Sequence, residues 1–188
     1  MKLEENGFNV DDSENAKILF GGRIAFKYFG KSSSDPCHTE MVPPSDNLCQ
    51  MLVRSKTDLD DLVAANIHLP EPTDRAQHLY LSAKFQSQSF LMGFFTRLAE
   101  GCKNDDEDLK TRPYFFMSHV NEQVKWLDET DIWGPGEPNQ CVEYYLSSNT
   151  EGKLGDIHPR HERDVFCVYI DTSESDEQPM CSNSEHRK

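Results

Sequence analysis

Apolar positions follow two different rhythms along this chain. In the first half they recur at helical spacing. Leu48, Met51 and Leu52 follow the capping stretch Pro43-Pro44-Ser45-Asp46, which predicts a helix starting near Ser45. Leu59, Leu62, Val63 and Ile67 extend that helical region or form a second amphipathic piece. Leu69-Pro-Glu-Pro-Thr73 breaks the pattern, and Phe90, Leu91, Phe94, Phe95 and Leu98 predict a further helix over 85–98. Ahead of these, Phe20 to Phe29 carries β-branched and aromatic residues after a Gly-Gly turn and reads as a strand.

The second half changes character. Tyr114–Met117, Val124–Trp126, Cys141–Leu146 and Val165–Ile170 are short aromatic and β-branched runs between turns, with Val142, Tyr144, Phe166 and Val168 on alternating faces. Helical pieces followed by short strands make an α+β order. Residues 1–19 are polar and acidic and read as a flexible lead, 20–171 as one domain, and 172–188 as a disordered acidic tail.

Charge narrows the partners. The chain carries 33 acidic against 19 basic residues, a formal charge of −14 over 188 residues. Such a surface repels phosphate backbones and anionic lipid, so no nucleic acid partner is expected. No apolar run reaches the roughly 20 residues that span a bilayer, and no signal peptide is visible at the start. Cysteines at 37, 49, 102, 141, 167 and 181 permit a disulfide framework, the alternative being six thiols kept reduced in a cytosolic protein. There is no P-loop, no GxSxG and no dinucleotide fingerprint. His158-Pro-Arg-His161-Glu162 has histidines three apart, but Pro159 opposes the helix that would bring them together, so it reads as an exposed loop. Cys102 has no neighbouring base to activate it. The chain is therefore expected to bind and not to catalyse.

The most informative stretch is Trp126-Leu-Asp-Glu-Thr-Asp-Ile-Trp-Gly-Pro-Gly-Glu-Pro-Asn139. It is a turn-rich loop with two tryptophans, either ligand-stacking rings or core residues bracing the loop. Pro138 fixes the backbone between a carboxylate and an amide, so Glu137 and Asn139 can turn two hard oxygens towards one point, the donor type Ca²⁺ favours. A cis bond before Pro138 would help to aim them.

This stretch resembles the long-loop region of C-type lectin-like domains, whose pattern runs W-x-W-x-D-G, W-x-x-G-E-P-N, C-V, W-N-D-x-x-C and F-x-C. Lys125–Asp128 is similar to the first element, Trp133–Asn139 to the second, Cys141-Val142 to the third and Val165–Cys167 to the last. Tyr114–Met117 stands where the family has its W-I-G-L strand, and Leu79–Ser82 through Phe90-Leu91 resembles the segment leading into its second helix. Ile24–Phe29 stands for the first strand and Asp46–Cys49 for the end of the first helix. One element departs: Leu154-Gly155-Asp156-Ile-His-Pro159 lacks the tryptophan, the asparagine and the cysteine of W-N-D-x-x-C, and the acidic ligand usually found just before Cys141 is missing too.

The resemblance implies a C-type lectin-like fold: two helices with small antiparallel sheets and a long ligand-binding loop. It implies a ligand-binding rim of Trp133, Glu137, Asn139 and Asp156, with Ca²⁺ on the last three. The Glu-Pro-Asn triplet implies mannose-type recognition of a glycan or glycoprotein; a metal-independent domain that binds a protein receptor is the alternative. A disulfide between Cys49 and Cys167 is implied, closing a loop worth about 4–5 kcal/mol in the chain-entropy account. Cys141 meets Pro159 at its usual partner's position, so it is free or paired with Cys37 or Cys102. An extracellular, secreted location is implied as well.

Overall fold

The computed structural model describes residues 2–33, 47–97, 100–104, 107–128, 131–143 and 145–172. Cys37, Cys181, Tyr144, the expected helix start near Ser45 and the tail beyond Thr172 lie outside them.

The chain opens with α1 (Lys2–Glu5), β1 (Asn9–Asp11) and α2 (Glu14–Phe20). Ser13 caps α2 by accepting from the Ala16 N–H, and Gly21 ends it in the left-handed region at φ 71°. A flexible lead was expected here. Instead Leu3, Phe8 and Ala16 are buried and β1 pairs with the next strand, because apolar anchors are spaced along this otherwise polar stretch. Phe20 closes α2, and the strand expected from it begins only at β2 (Arg23–Ser33).

Next come α3 (Asn47–Lys56), α4 (Asp61–Ala64) and α5 (Arg75–Phe85). Asp74 caps α5 through the Gln77 N–H at 2.8 Å. The helix predicted over 85–98 is not formed. Phe90–Phe95 is strand β3, with every residue buried. Its alternate residues feed opposite faces: Phe90, Met92 and Phe94 enter one apolar cluster, Leu91 and Phe95 the other. A strand covered on both faces is apolar throughout and loses the period-two signature.

The remaining strands are β4 (Phe115–Phe116), β5 (Tyr145–Ser148), β6 (Leu154–Ile157) and β7 (Glu162–Asp171). The run at Val124–Trp126 is not a strand; Trp126–Asp128 is a single 3-10 turn. Among the described residues, all seven strands join one sheet in the order β1-β2-β7-β3-β5-β6, with β4 on β3. It is mixed and not a set of small antiparallel sheets, because β3 meets β7 in parallel at Phe90 and Asp164. The α+β class stands. The longest pairing, β2 with β7, runs from Arg23↔Asp171 to Ser33↔Glu162 and brings the two ends of the domain together. Cys49 of α3 is bonded to Cys167 of β7, and Cys102 to Cys141.

Candidate functional site

The segment after Ile132 is laid along β6 by backbone bonds. Leu154 N–H donates to Ile132 O and Gly134 N–H to Leu154 O, both at 2.8 Å. A turn follows, closed by Glu137 N–H to Gly134 O at 3.0 Å, with Gly136 at φ 75° and a cis Glu137–Pro138 bond. Pro138 is buried, while Glu137 is half-buried and Asn139 exposed.

Asp156, on β6, sits directly beneath. Its carboxylate accepts the Asn139 N–H at 3.1 and 3.2 Å and the Gln140 N–H at 3.2 Å. Arg112 Nη2 donates to the same group at 3.2 Å. That guanidinium also donates to the carbonyls of Cys141 and Glu143 at 3.3 and 3.2 Å, so it ties the whole loop to the sheet. The turn and Asp156 thus meet, but not as expected on an outward rim. Asp156 is 4% exposed and faces inward. The reason is elementary: a buried carboxylate needs donors, and two backbone N–H groups with an arginine supply them.

A third acid joins this pair. Ligand atoms of Glu137, Glu143 and Asp156 lie within 4.8 Å of one another, the one such trio of His, Cys, Asp or Glu among the described residues. Asn139 Nδ2 donates to Glu137 Oε1 at 3.1 Å, whereas Glu137 Oε2 is buried with no hydrogen-bond partner. Burial, then the nearby Asp156 carboxylate, pushes Glu137 up to about 8. The same two causes push Glu143 up to about 7. Carboxyls crowded in this way hold protons or a cation.

Three carboxylates and the Asn139 amide are all hard oxygen donors, which suits Ca²⁺ in chemistry and in number once water or ligand hydroxyls complete the shell. The orphaned Glu137 Oε2 fits such an ion. Arg112 opposes it by already compensating Asp156.

Trp133 is half-buried, with its ring 6.0 Å from that of Tyr114. It lines a groove of about 830 Å³ together with Asp128, Gly136 and Glu137. Trp126 is a core residue: it is 7% exposed, and its Nε1–H donates to Pro72 O at 2.9 Å. The rings of His158 and His161 lie 5.7 Å apart at a 51° tilt in the turn before β7, and among the described residues they belong to no metal-holding trio.

Two contributors escaped sequence reasoning. Glu143 was counted only within an expected strand, yet it lies in the turn before β5. Its signal was its place two residues after Cys141, on the other side of that cysteine from the missing acid. Arg112 had none, being 44 residues from Asp156 in sequence.

No protein-family model matches the chain, and no curated protein matches it. Similar folds occur among solved structures. The C-type lectin domain of murine dendritic cell inhibitory receptor 2, solved in complex with N-glycan, is 14% identical at a TM-score of 0.49, covering 81% of this chain and 94% of its own. The C-type lectin CEL-I from Cucumaria echinata is 12% identical at 0.48, covering 77% and 89%. A calcium-independent type II antifreeze protein is 11% identical at 0.44, covering 78% and 86%. The closing β2–β7 pair, the α3–β7 disulfide and the cis-proline turn seated on Asp156 are features of this chain itself. On them, the chain has the C-type lectin-like fold.

Proposed function

We propose that this domain recognises glycans, and that the ligand's hydroxyls are held at the Glu137–Asn139 turn over a Ca²⁺ site formed by Glu137, Glu143 and Asp156. One observation carries the reading: three carboxylates converge within 4.8 Å, one with a buried oxygen lacking any partner. Bound there, Ca²⁺ supplies charge compensation and polarises a pair of vicinal hydroxyls. Glu137 then accepts from one hydroxyl and the Asn139 amide donates to the other. The Glu-Pro-Asn order favours the equatorial pair of a mannose-type sugar. The role is recognition without catalysis, and the two disulfides among the described residues suit a secreted, extracellular setting.

Retention on immobilised mannose in the presence of Ca²⁺, with loss on chelation and in Glu137→Gln, is the expected result. Equal retention on galactose discards the mannose preference, and retention that ignores chelator discards the metal.

A second reading has its own observation. Arg112 already stands 3.2 Å from Asp156, both nearly sealed from solvent, and an internal cation can replace an external one. On that reading the same loop binds a protein receptor without metal. Calorimetric titration with Ca²⁺ separates the two, since the second predicts no heat of binding.

A further inference from the structure

A cavity of about 570 Å³ shares no lining residue with the groove at Glu137. Its walls are the end of β7, the segment 66–73 and the turn 116–122, and Phe20 and Leu81 contribute apolar surface. Backbone bonds fix these walls. His68 and Val168 exchange N–H···O bonds at 3.0 and 2.7 Å, Gly93 N–H donates to Pro70 O at 2.7 Å, and Met117 N–H donates to Gly93 O at 2.9 Å. The space is therefore preformed and does not wait for a ligand to open it.

Its charge is one-sided. Glu71, Glu122 and Asp171 line it, and among the described residues no lysine or arginine does. Asp171 is compensated by Arg23 at 2.8 Å. Glu71 is not: it accepts from the Ser118 N–H at 3.2 Å and the Ser118 hydroxyl at 2.5 Å, and among the described residues it forms no ion pair. Burial pushes it up to about 7, and Glu122 adds to the push. Ser118 holds Glu71 in place, and the Glu71 Cγ occupies the space left by the missing Cβ of Gly93, 2.4 Å from where that atom would stand. A half-buried carboxylate with hydrogen bonds but no counter-charge, pinned in an open cavity, lacks a cation. A metal ion is the wrong one, since the described residues gather a metal-holding trio only at Glu137, Glu143 and Asp156.

We infer that this cavity binds a ligand carrying a protonated amine, with the ammonium on Glu71 and an apolar stem against Phe20, Leu81 and Phe116. Free alkylamines and lysine side chains share that chemistry. The site is independent of the glycan reading and stands if that reading fails. Binding removes a proton from Glu71, so affinity rises with pH through about 7. The titratable groups that line the cavity with Glu71 and enter this balance are His68 on its own segment, His119 and Glu122 from the turn, and Tyr169 and Asp171 from β7, the last with Arg23.

The test is titration calorimetry of the full chain with n-butylammonium, with n-butanol as the uncharged control and a lysine-bearing tripeptide as a second arm. Saturable butylammonium binding, with proton release seen as a dependence on buffer ionisation heat, supports the site. Glu71→Gln should weaken it by about tenfold or more, as expected when a charge-assisted bond is lost. Binding of the tripeptide alone also supports the site and assigns a protein source for the amine. Equal binding of butanol, no binding of either amine, or an unchanged affinity in Glu71→Gln overturns it. If Glu71→Gln does not fold, the exposed Glu122→Gln takes its place: a several-fold loss supports the site and no loss overturns it.

Discussion

Arg112 Nη2 stands 3.2 Å from Asp156 Oδ2, and the two side chains are 7% and 0% exposed. The pair joins the chain before β4 to the middle of β6 and carries the binding loop between them. Removing one partner of a buried pair strands the other charge, which costs more than the pair contributes. Arg112→Met should therefore destabilise the fold by about 3–5 kcal/mol. The double variant Arg112→Met, Asp156→Leu should cost clearly less than the sum of the single changes. Urea unfolding of the four proteins checks this, and strict additivity would sink it.

That pair also marks the limit of what the sequence conveyed. The tryptophan-flanked Glu137–Asn139 turn was readable because its proline, glycines and acids act locally. Cys49 and Cys167 could be paired only through the resemblance. Asp156 was found, but its direction was not, since that depends on Arg112 arriving from elsewhere in the fold. The same cause misled the reading of 90–95: apolar spacing that fits a helix also fits a strand buried on both faces. Only tertiary contacts decide between them.

Stability should pass through a maximum as pH varies. Glu137 at about 8, and Glu143 and Glu71 at about 7, lie above the ordinary glutamate value near 4.3. Their folded forms hold protons that the unfolded chain has released. The stability they contribute is full below the ordinary value and is lost as pH rises through the folded one. His78 acts at the other end: burial, then Arg75, holds it down at about 3, so its contribution is present above the ordinary histidine value and is lost as pH falls towards 3. Thermal melting of the metal-free chain should peak at about pH 4, where the loss from three glutamates begins to outweigh the gain from one histidine, and should decline from there towards pH 8. Ca²⁺, if it binds, should flatten the decline above the peak. A melting temperature that climbs steadily from pH 5 to 8 without metal contradicts the argument.

Gly93 is a steric requirement of β3. A methyl there would stand 2.4 Å from Glu71 Cγ and 3.2 Å from Leu69 O, one a pinned side chain and the other backbone. Gly93→Ala should cost about 1–3 kcal/mol as an overpacked site. Glu71→Ala in the same chain removes the first obstacle and should recover part of the loss. Chemical denaturation of both variants decides the point, and an unaltered midpoint in Gly93→Ala would refute it.

The two disulfides among the described residues differ in access more than in what they constrain. They close chain separations of 118 and 39 residues, worth about 5 and about 4 kcal/mol in the chain-entropy account. That gap is too small to set the order of reduction. Access sets it instead. Cys49 and Cys167 are wholly buried between α3 and β7, whereas Cys102 and Cys141 are half-buried at the loop surface. Thiolate attack needs a line of approach to sulfur, so a mild reductant should open Cys102–Cys141 first. The consequence is local. Cys141 lies two residues from both Asn139 and Glu143, and its N–H is bonded to Asn104 Oδ1 at 2.9 Å, so opening the bond frees the site loop while β2 and β7 stay paired. Timed alkylation with mass analysis should show 102 and 141 labelled well before 49 and 167. Far-ultraviolet circular dichroism should stay unchanged at that stage, while affinity for the site's ligand has already fallen. Labelling in the reverse order would show that the buried bond is the exposed one in solution, and with it the packing of α3 on β7 would have to be redrawn.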